Sequence, residues 1–534
     1  MKDFQRERKE QMIHEMIPRP VSCENRDQTI VLPEEIRICS VFEDDALLAF
    51  LERSGLKRND SSSYIIDIEK DDLLQKEEYH LTIEEKKICI KASSKKGVIW
   101  ALTSLYLLIK KGEVPCCEIK DKPRHAHRGL LLDCCRHFFE VEEVKKIIEE
   151  MSLVKMNVLH WHLSDDQGFR IQSKSFPRLN EISKPYYTQE EIKEIVQYAS
   201  LRGVDILPEI DLPGHTSAIL AAYPEYSCFQ EKTEVKSTGG IYPIILCPGK
   251  DETLKFVQEL LEEIVPLFSY AYFHLGGDEA PKTNWKRCPD CQERMKKEGL
   301  SDENDLQAWF TIKAIETLKK NDKTPIVWND LLEVKQPPKE ITVQYWSLNY
   351  AASMNEYASS NGRFIYSDMF ELYLDYPPAM TPLKKIYEIE PHISKFPCAD
   401  NPSLLGIEAC IWTEHIAEKE KLERMLFPRL LAVAEISWCQ KRDGYRKFIE
   451  RVETHKNNVP HSVSYDPKEH WDPKGSKRRK EALAYFREMN NGIEEVREQT
   501  VEASKPNKEF TSSFMNKFFK PWDMPFLLKE LMKK

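Results

Sequence analysis

The chain has 534 residues and a formal charge of −10, from 88 acidic against 78 basic side chains, with 41% hydrophobic and 10% aromatic residues. That length exceeds one compact core and implies two or three domains, and the hydrophobic share excludes a disordered chain. The acidic balance argues against an extended nucleic-acid surface or an anionic membrane partner.

The first residues, MKDFQRERKEQMIHEM, are charged throughout and lack the apolar core of a signal peptide, and no run is long and apolar enough to span a bilayer. The 14 cysteines include Cys116-Cys117 and Cys134-Cys135, both in apolar, strand-like surroundings. That pattern suits reduced, buried thiols and a cytoplasmic protein better than a disulfide framework. Cys288 and Cys291 have C-x-x-C spacing, half a zinc site, but no second pair lies at a fitting distance. Half a ligand set is weak evidence, so no structural zinc or other cofactor is read from it.

Residues 1–122 read as a small α+β domain. Thr29–Leu32, Ser63–Ile68, Tyr79–Ile83 and Lys87–Ala92 are short and β-rich, and Ile99, Leu102, Leu105, Tyr106 and Ile109 recur at helical spacing. Asp121-Lys122-Pro123-Arg124 reads as the linker.

From Arg128 strands and helices alternate, as the crossovers of a parallel sheet require. Strands are expected at Gly129–Cys134, Asn157–Leu163, Val204–Ile210, Ala271–Leu275, Pro325–Trp328, Thr342–Trp346, Phe364–Ser367 and Ile407–Trp412. Val141 to Val154 and Leu254 to Val265 carry apolar residues on one helical face, whereas the segments after the fifth to seventh strands look loop-like. Eight units over about 285 residues fit an α/β fold of the (β/α)₈ TIM-barrel type, whose typical length is about 250. A doubly wound open sheet is disfavoured, because no Gly-rich nucleotide turn follows the first strand. The barrel is assigned residues 123–475. Leu422 to Trp438 reads as one apolar helix, and residues 476–534 as a charged, helical C-terminal extension resting on the surface or on another subunit, which leaves room for a homo-oligomer.

Chemistry in such a barrel belongs at the C-terminal ends of the strands. The expected ends carry His160-Trp161-His162 with Asp165, Glu209 and Asp211 with His215, Asp278-Glu279, Trp328, Trp346, Tyr373 with Asp375, and Trp412 with Glu414. In FHLGGDEA, residues 273–280, an apolar strand leaves through two glycines and delivers two adjacent carboxylates, which would perturb each other's pKa. Taken alone, the same pattern suits acids at a helix N-terminus. Several Trp beside carboxylates, an Arg and a His suit a sugar, with aromatic faces on the pyranose C–H groups and charged groups on its hydroxyls. Carboxylates beside a sugar point to glycoside hydrolysis, and spacing alone does not say whether a second carboxylate or the substrate itself supports the oxocarbenium-like centre.

LHWHLSDDQGFR (159–170), LPEIDLPGH (207–215), FHLGGDEA (273–280), YLD (373–375) and CIWTEH (410–415) resemble the family 20 glycoside hydrolases, the β-N-acetylhexosaminidases. The resemblance runs from about Tyr79 to Trp438. It implies an exo-acting, retaining enzyme that releases terminal non-reducing GlcNAc or GalNAc, with the substrate's acetamido oxygen attacking C1 to give an oxazolinium intermediate. The partner it implies is an oligosaccharide or glycoconjugate with a terminal β-linked N-acetylhexosamine, with no metal required. By the same resemblance Glu279 is the general acid and then base, Asp278 holds the acetamido N–H, and Tyr373 binds the acetamido oxygen. Trp328, Trp346 and Trp412 wall the methyl pocket and ring. Arg128 clamps the 3- and 4-hydroxyls, Glu414 and Asp375 bind hydroxyls, and Asp165 and His215 orient Glu279. Phe169, where the family commonly has Trp, is expected at the rim. Two rival readings are a metal-dependent barrel hydrolase using His160 and His162, which face the same side of one strand, and a carbohydrate-binding protein without turnover.

Overall fold

The computed structural model describes residues 15–333, 340–459 and 462–485. All eight strands expected from the sequence close into one parallel barrel: His127–Asp133, Val158–His162, Asp205–Glu209, Tyr272–His274, Thr324–Trp328, Thr342–Tyr345, Arg363–Tyr366 and Leu404–Ile411. The eighth closes on the first with Ile407 opposite Arg128 and Ile411 opposite Leu132. Amphipathic helices pack outside, among them Val141–Leu153 and Asp251–Ile264, each burying the apolar stripe its sequence spacing presents.

Several boundaries differ from expectation. The apolar run before the fourth strand is interrupted: Val265–Leu267 forms a 3₁₀ turn and only Tyr272–His274 pairs as strand. The apolar stretch from Leu422 is two helices, Lys419–Leu426 and Arg429–Trp438, because Pro428 cannot donate a helical N–H. After the sixth strand Ala351–Ser359 is helical, and after the seventh Leu383–Tyr387 is a short helix. Among the described residues no helix is long and apolar enough to cross a membrane.

The N-terminal domain is a seven-stranded mixed sheet with helices Asp45–Ser54 and Lys95–Leu108. Its strands include Glu35–Ser40 and Glu113–Asp121, which sequence periodicity did not single out. Asp121 is not a flexible linker residue: it is buried, accepts from Tyr79 Oη at 2.7 Å and Trp438 Nε1 at 3.0 Å, and pairs with Lys155 at 2.9 Å. Trp438, contributed by the barrel, joins the small domain's core edge-on to Trp100, 6.4 Å between centroids.

Arg128 belongs to this joint, and its expected place among the sugar ligands is corrected. It lies at the N-terminal end of the first strand, fully buried, and donates to Glu77 Oε2 at 2.5 Å, to the Lys155 carbonyl at 2.8 Å and to the His125 carbonyl at 2.8 Å. Its guanidinium sits 5.0 Å from the Trp438 ring centroid. With every side consumed by the inter-domain contact, it has no route to the opposite end of the barrel.

Of the extension expected at 476–534, the described part, 476–485, is helical, and residues 486–534 lie outside the described residues, as do the first fourteen residues.

Candidate active site

The barrel interior is polar where an aliphatic core is usual. Glu408 accepts from His127 Nε2 at 2.7 Å, His160 Nδ1 at 2.8 Å and Gln344 Nε2 at 2.6 Å. Glu209 is held by His162 Nδ1, by His274 Nδ1 at 3.0 Å and by Trp328 Nε1 at 2.8 Å. Burial would push Glu209 up, but the facing imidazoles, His162 foremost, hold it well below the usual carboxylate range. His160 and His162 are thus committed to carboxylates, His160 also lying 3.3 Å from Glu209 and His162 Nε2 2.8 Å from Asp165. His160, Glu209 and His274 lie close enough together to hold an ion, but all three are fully buried.

From this core a chain of charges leads to the surface. Asp165 Oδ2 meets Arg136 Nη2 at 2.8 Å and its Oδ1 meets His215 Nδ1 at 3.3 Å. Burial would raise Asp165, but Arg136 and then His215 keep it well below its ordinary value. His215 Nε2 in turn stands 3.8 Å from Asp278 and 3.7 Å from Glu279. A protonated His215 is favoured because these carboxylates, Asp165 first, outweigh its burial.

The turn that presents the two acids depends on its glycines. Gly276 has φ +63°, and a Cβ there would fall 1.9 Å from Asp211 Oδ1. Asp211 accepts the Gly277 N–H at 2.9 Å, Gln307 donates to the Gly277 carbonyl at 2.7 Å, and Asp330 accepts the Glu279 N–H at 3.2 Å. Burial first, and the adjacent Glu279 and Glu209 after it, raise Asp278 to about 6 despite the opposing pull of His215. Asp330 is raised to about 7 by burial and by Asp278.

Asp278 and Glu279 open into a cavity of about 360 Å³. Trp328, Trp346, Tyr373 and Trp412 wall it, with Tyr373 and Trp346 nearly parallel at 6.5 Å and Trp412 at 6.1 Å from both Tyr373 and Trp328. Trp346 is fixed through its Nε1, which donates to Asp330 at 2.7 Å. Tyr373 is fixed by its backbone, where Leu374 N donates to the Cys410 carbonyl of the last strand at 2.7 Å. Arg136, His215, Asp375 and Glu414 complete the polar side. Burial first, then Glu414, raises Asp375 to about 8. Four buried polar atoms around this cavity have no hydrogen-bond partner: Arg136 Nε, His215 Nε2, Asp278 Oδ1 and Asp375 Oδ1. A polar ligand bound there would satisfy groups that are otherwise costly to bury. Glu279 and Trp346 also face a second, more polar cavity of about 380 Å³.

The structure brings together every candidate except Arg128, with Asp165 one contact behind the cavity wall. Sequence reasoning missed Arg136, 5.1 Å from the Trp412 ring centroid, although its place just past the first strand's C-terminal end was the available signal. It placed Asp330 at the end of the fifth strand without giving it a role, and it missed Tyr485, which reaches the cavity edge from the C-terminal segment. Phe169 is fully buried in the core, not at the rim. The C-x-x-C pair is not half a site: Cys228 and Cys247 converge on Cys288 and Cys291, with all four sulfurs within 4.8 Å of one another.

Comparison with known proteins agrees with this geometry. The model for "Glycosyl hydrolase family 20, catalytic domain" matches residues 125–441, and that for "Glycosyl hydrolase family 20, domain 2" matches residues 14–122. A beta-hexosaminidase of Porphyromonas gingivalis is 33% identical over 485 residues, covering 82% of this chain and 62% of that protein, so the chain spans less than two thirds of that relative. The crystal structure of the beta-N-acetylhexosaminidase from Bacteroides fragilis superposes with a TM-score of 0.77 at 32% identity, over 85% of this chain and 97% of the other. The exo beta-N-acetylglucosaminidase from Vibrio harveyi, solved in complex with N-acetylglucosamine, superposes with a TM-score of 0.76 at 28% identity, over 85% and 78%. Matched by the catalytic-domain model over more than half its length, the chain belongs to glycosyl hydrolase family 20.

Proposed function

We propose that the chain is an exo-acting, retaining β-N-acetylhexosaminidase that releases terminal GlcNAc or GalNAc by substrate-assisted catalysis through an oxazolinium intermediate. The observation that carries this reading is the pairing, in one aromatic-walled cavity, of a part-exposed Glu279 with a raised Asp278 whose Oδ1 lacks a protein partner. The relatives' names, and the N-acetylglucosamine bound in the Vibrio harveyi neighbour, support the substrate class. A cavity near the small end of ligand pockets, about 300–1,000 Å³, suits one terminal sugar better than a continuous chain.

In this mechanism Glu279 donates its proton to the glycosidic oxygen as the acetamido oxygen closes on C1. The C1–O bond breaks and the aglycone leaves. Asp278 accepts a hydrogen bond from the acetamido N–H and balances the positive charge that develops on the ring nitrogen. Tyr373 donates to the acetamido oxygen and aligns it, and the Trp walls hold the methyl group and ring. Glu279, now ionised, takes a proton from water as the water oxygen adds to C1 from the face the aglycone left, and the bond from C1 to the acetamido oxygen breaks to restore the acetamido group. The configuration is thereby retained. Arg136 takes the hydroxyl-clamping part from the cavity wall, and Glu414 and Asp375 bind further hydroxyls. The His215–Asp165 pair holds both acids in place.

Hydrolysis of paired chromogenic β-glycosides tests this directly. Cleavage of the N-acetylglucosaminide and N-acetylgalactosaminide without the glucoside is the expected result, and glucoside cleavage at a similar rate would overturn it. The cytoplasmic site of action is part of the same proposal, and recovery of the protein from culture supernatant without lysis would contradict it.

A further inference from the structure

Cys228 follows the turn Pro224–Tyr226, Cys247 closes the next loop, Cys288 sits between the helices Thr283–Arg287 and Pro289–Glu298, and Cys291 lies in the first turn of the latter. The four come from three separate stretches of chain, yet their sulfurs form one group. Cys247 lies 3.5 Å from Cys291 and 3.8 Å from Cys288, and Cys228 lies 3.8 Å from Cys291. Thiolates bound at about 2.3 Å to a tetrahedral zinc ion stand about 3.8 Å apart, the edge of the tetrahedron. The alternative of two disulfides requires two sulfur pairs at about 2.05 Å, and here Cys247 is comparably close to two different partners.

The surroundings fit an ion better than a plain thiol core. Cys247, Cys288 and Cys291 are fully buried and Cys228 is 8% exposed. They are enclosed by Ile245, Trp285, Met295 and Leu306. The chain in Cys247-Pro248-Gly249 is pressed against the C-x-x-C turn: a Cβ on Gly249 would fall 2.3 Å from the Asp290 carbonyl carbon and 2.4 Å from Cys291 N.

We propose that Cys228, Cys247, Cys288 and Cys291 bind one structural zinc ion. Four protein ligands leave no open position, so the ion has no part in hydrolysis. Its work is positional. The loop between Cys228 and Cys247 carries Gly239 and Gly240, which line the active-site cavity, and its Thr238 carbonyl accepts from Gln167 Nε2 at 2.6 Å. Cys288 and Cys291 follow Asp278-Glu279 by about ten residues. The ion therefore ties the cavity's rim loop to the segment that carries the acid pair.

Elemental analysis of the full chain, purified without chelators, tests this independently of any activity. One zinc per chain is expected, with four sulfur neighbours at about 2.3 Å in the X-ray absorption spectrum. Cobalt replacement should give the intense thiolate charge-transfer bands of a tetrahedral sulfur site. The Cys288→Ser/Cys291→Ser double variant should lose the metal. Because that variant risks misfolding, the wild-type protein is also compared by native and denaturing mass spectrometry, where zinc should appear only in the native spectrum over four reduced thiols. Metal-free protein, with these thiols either reduced or joined in disulfides, would overturn the proposal, as would stoichiometric iron in place of zinc.

Discussion

Replacing Asp278 by Asn is expected to stabilise the protein at neutral pH while it slows the reaction. Asp278 is held at about 6 in the folded chain, chiefly by burial, against ~3.9 when unfolded. A carboxyl raised in this way loses stability as pH rises through the folded value, because the folded state must give up a proton it holds more tightly than the unfolded chain does. The gap corresponds to about 3 kcal/mol above pH 6, which an Asn of the same shape avoids. At about 2 cal/mol/K per residue, a chain of ~500 residues converts this to a rise in Tm of about 3 °C. The gain should shrink below about 1 kcal/mol by pH 4, where the wild-type carboxyl is already protonated in the folded state. Paired thermal scans of wild type and Asp278→Asn across pH 4 to 8 measure this. A stability difference that stays flat across that range, or an Asn variant that is less stable at pH 7.5, would refute the claim that the site stores this cost.

The same carboxyl sets the acid limb of activity: kcat/KM on acetamido glycosides should fall with a midpoint near pH 6 as Asp278 protonates, and that limb should vanish in Asp278→Asn. Glu279→Gln should lower turnover by about 10²–10⁴-fold with sugar affinity kept, as read by kinetics and by calorimetric titration with GlcNAc. Arg136→Ala should reduce kcat/KM by about 10- to 150-fold, the worth of one or more hydrogen bonds to a charged group, with its melting transition still cooperative. Arg128→Ala should do the reverse, costing about 3–5 kcal/mol in stability by leaving Glu77 buried and unpaired, with kcat/KM of the folded enzyme unchanged.

The contrast between the two arginines shows what the sequence makes legible. Eight strands could be read because each is a short apolar run ending in polar or aromatic residues, and those ends converge on one face whatever the loops do. Asp278, Glu279, Trp328, Trp346, Tyr373 and Trp412 were within reach for that reason. Arg128 was misread although it stands at the wrong end of its strand, and its actual partner, Glu77, lies 51 residues earlier in another domain, where no local spacing points to it. Arg136, just beyond Asp133, satisfied the strand-end rule that Arg128 broke. The division of the Leu422–Trp438 stretch was visible in Pro428. The four-cysteine cluster was not visible: Cys228 and Cys247 have no motif spacing to each other or to Cys288, and only the folded loop brings their sulfurs together.

Substrate assistance is tested most directly by varying the nucleophile itself. In a series of aryl β-glucosaminides whose N-acetyl group carries none, one, two or three fluorines, the carbonyl oxygen becomes steadily less nucleophilic while the leaving group is constant. If that oxygen attacks C1, with Asp278 and Tyr373 aligning it, kcat/KM should fall steeply and progressively along the series. Rates that stay level from acetyl to trifluoroacetyl would mean that a protein group is the nucleophile, and would contradict the roles given to Asp278 and Tyr373.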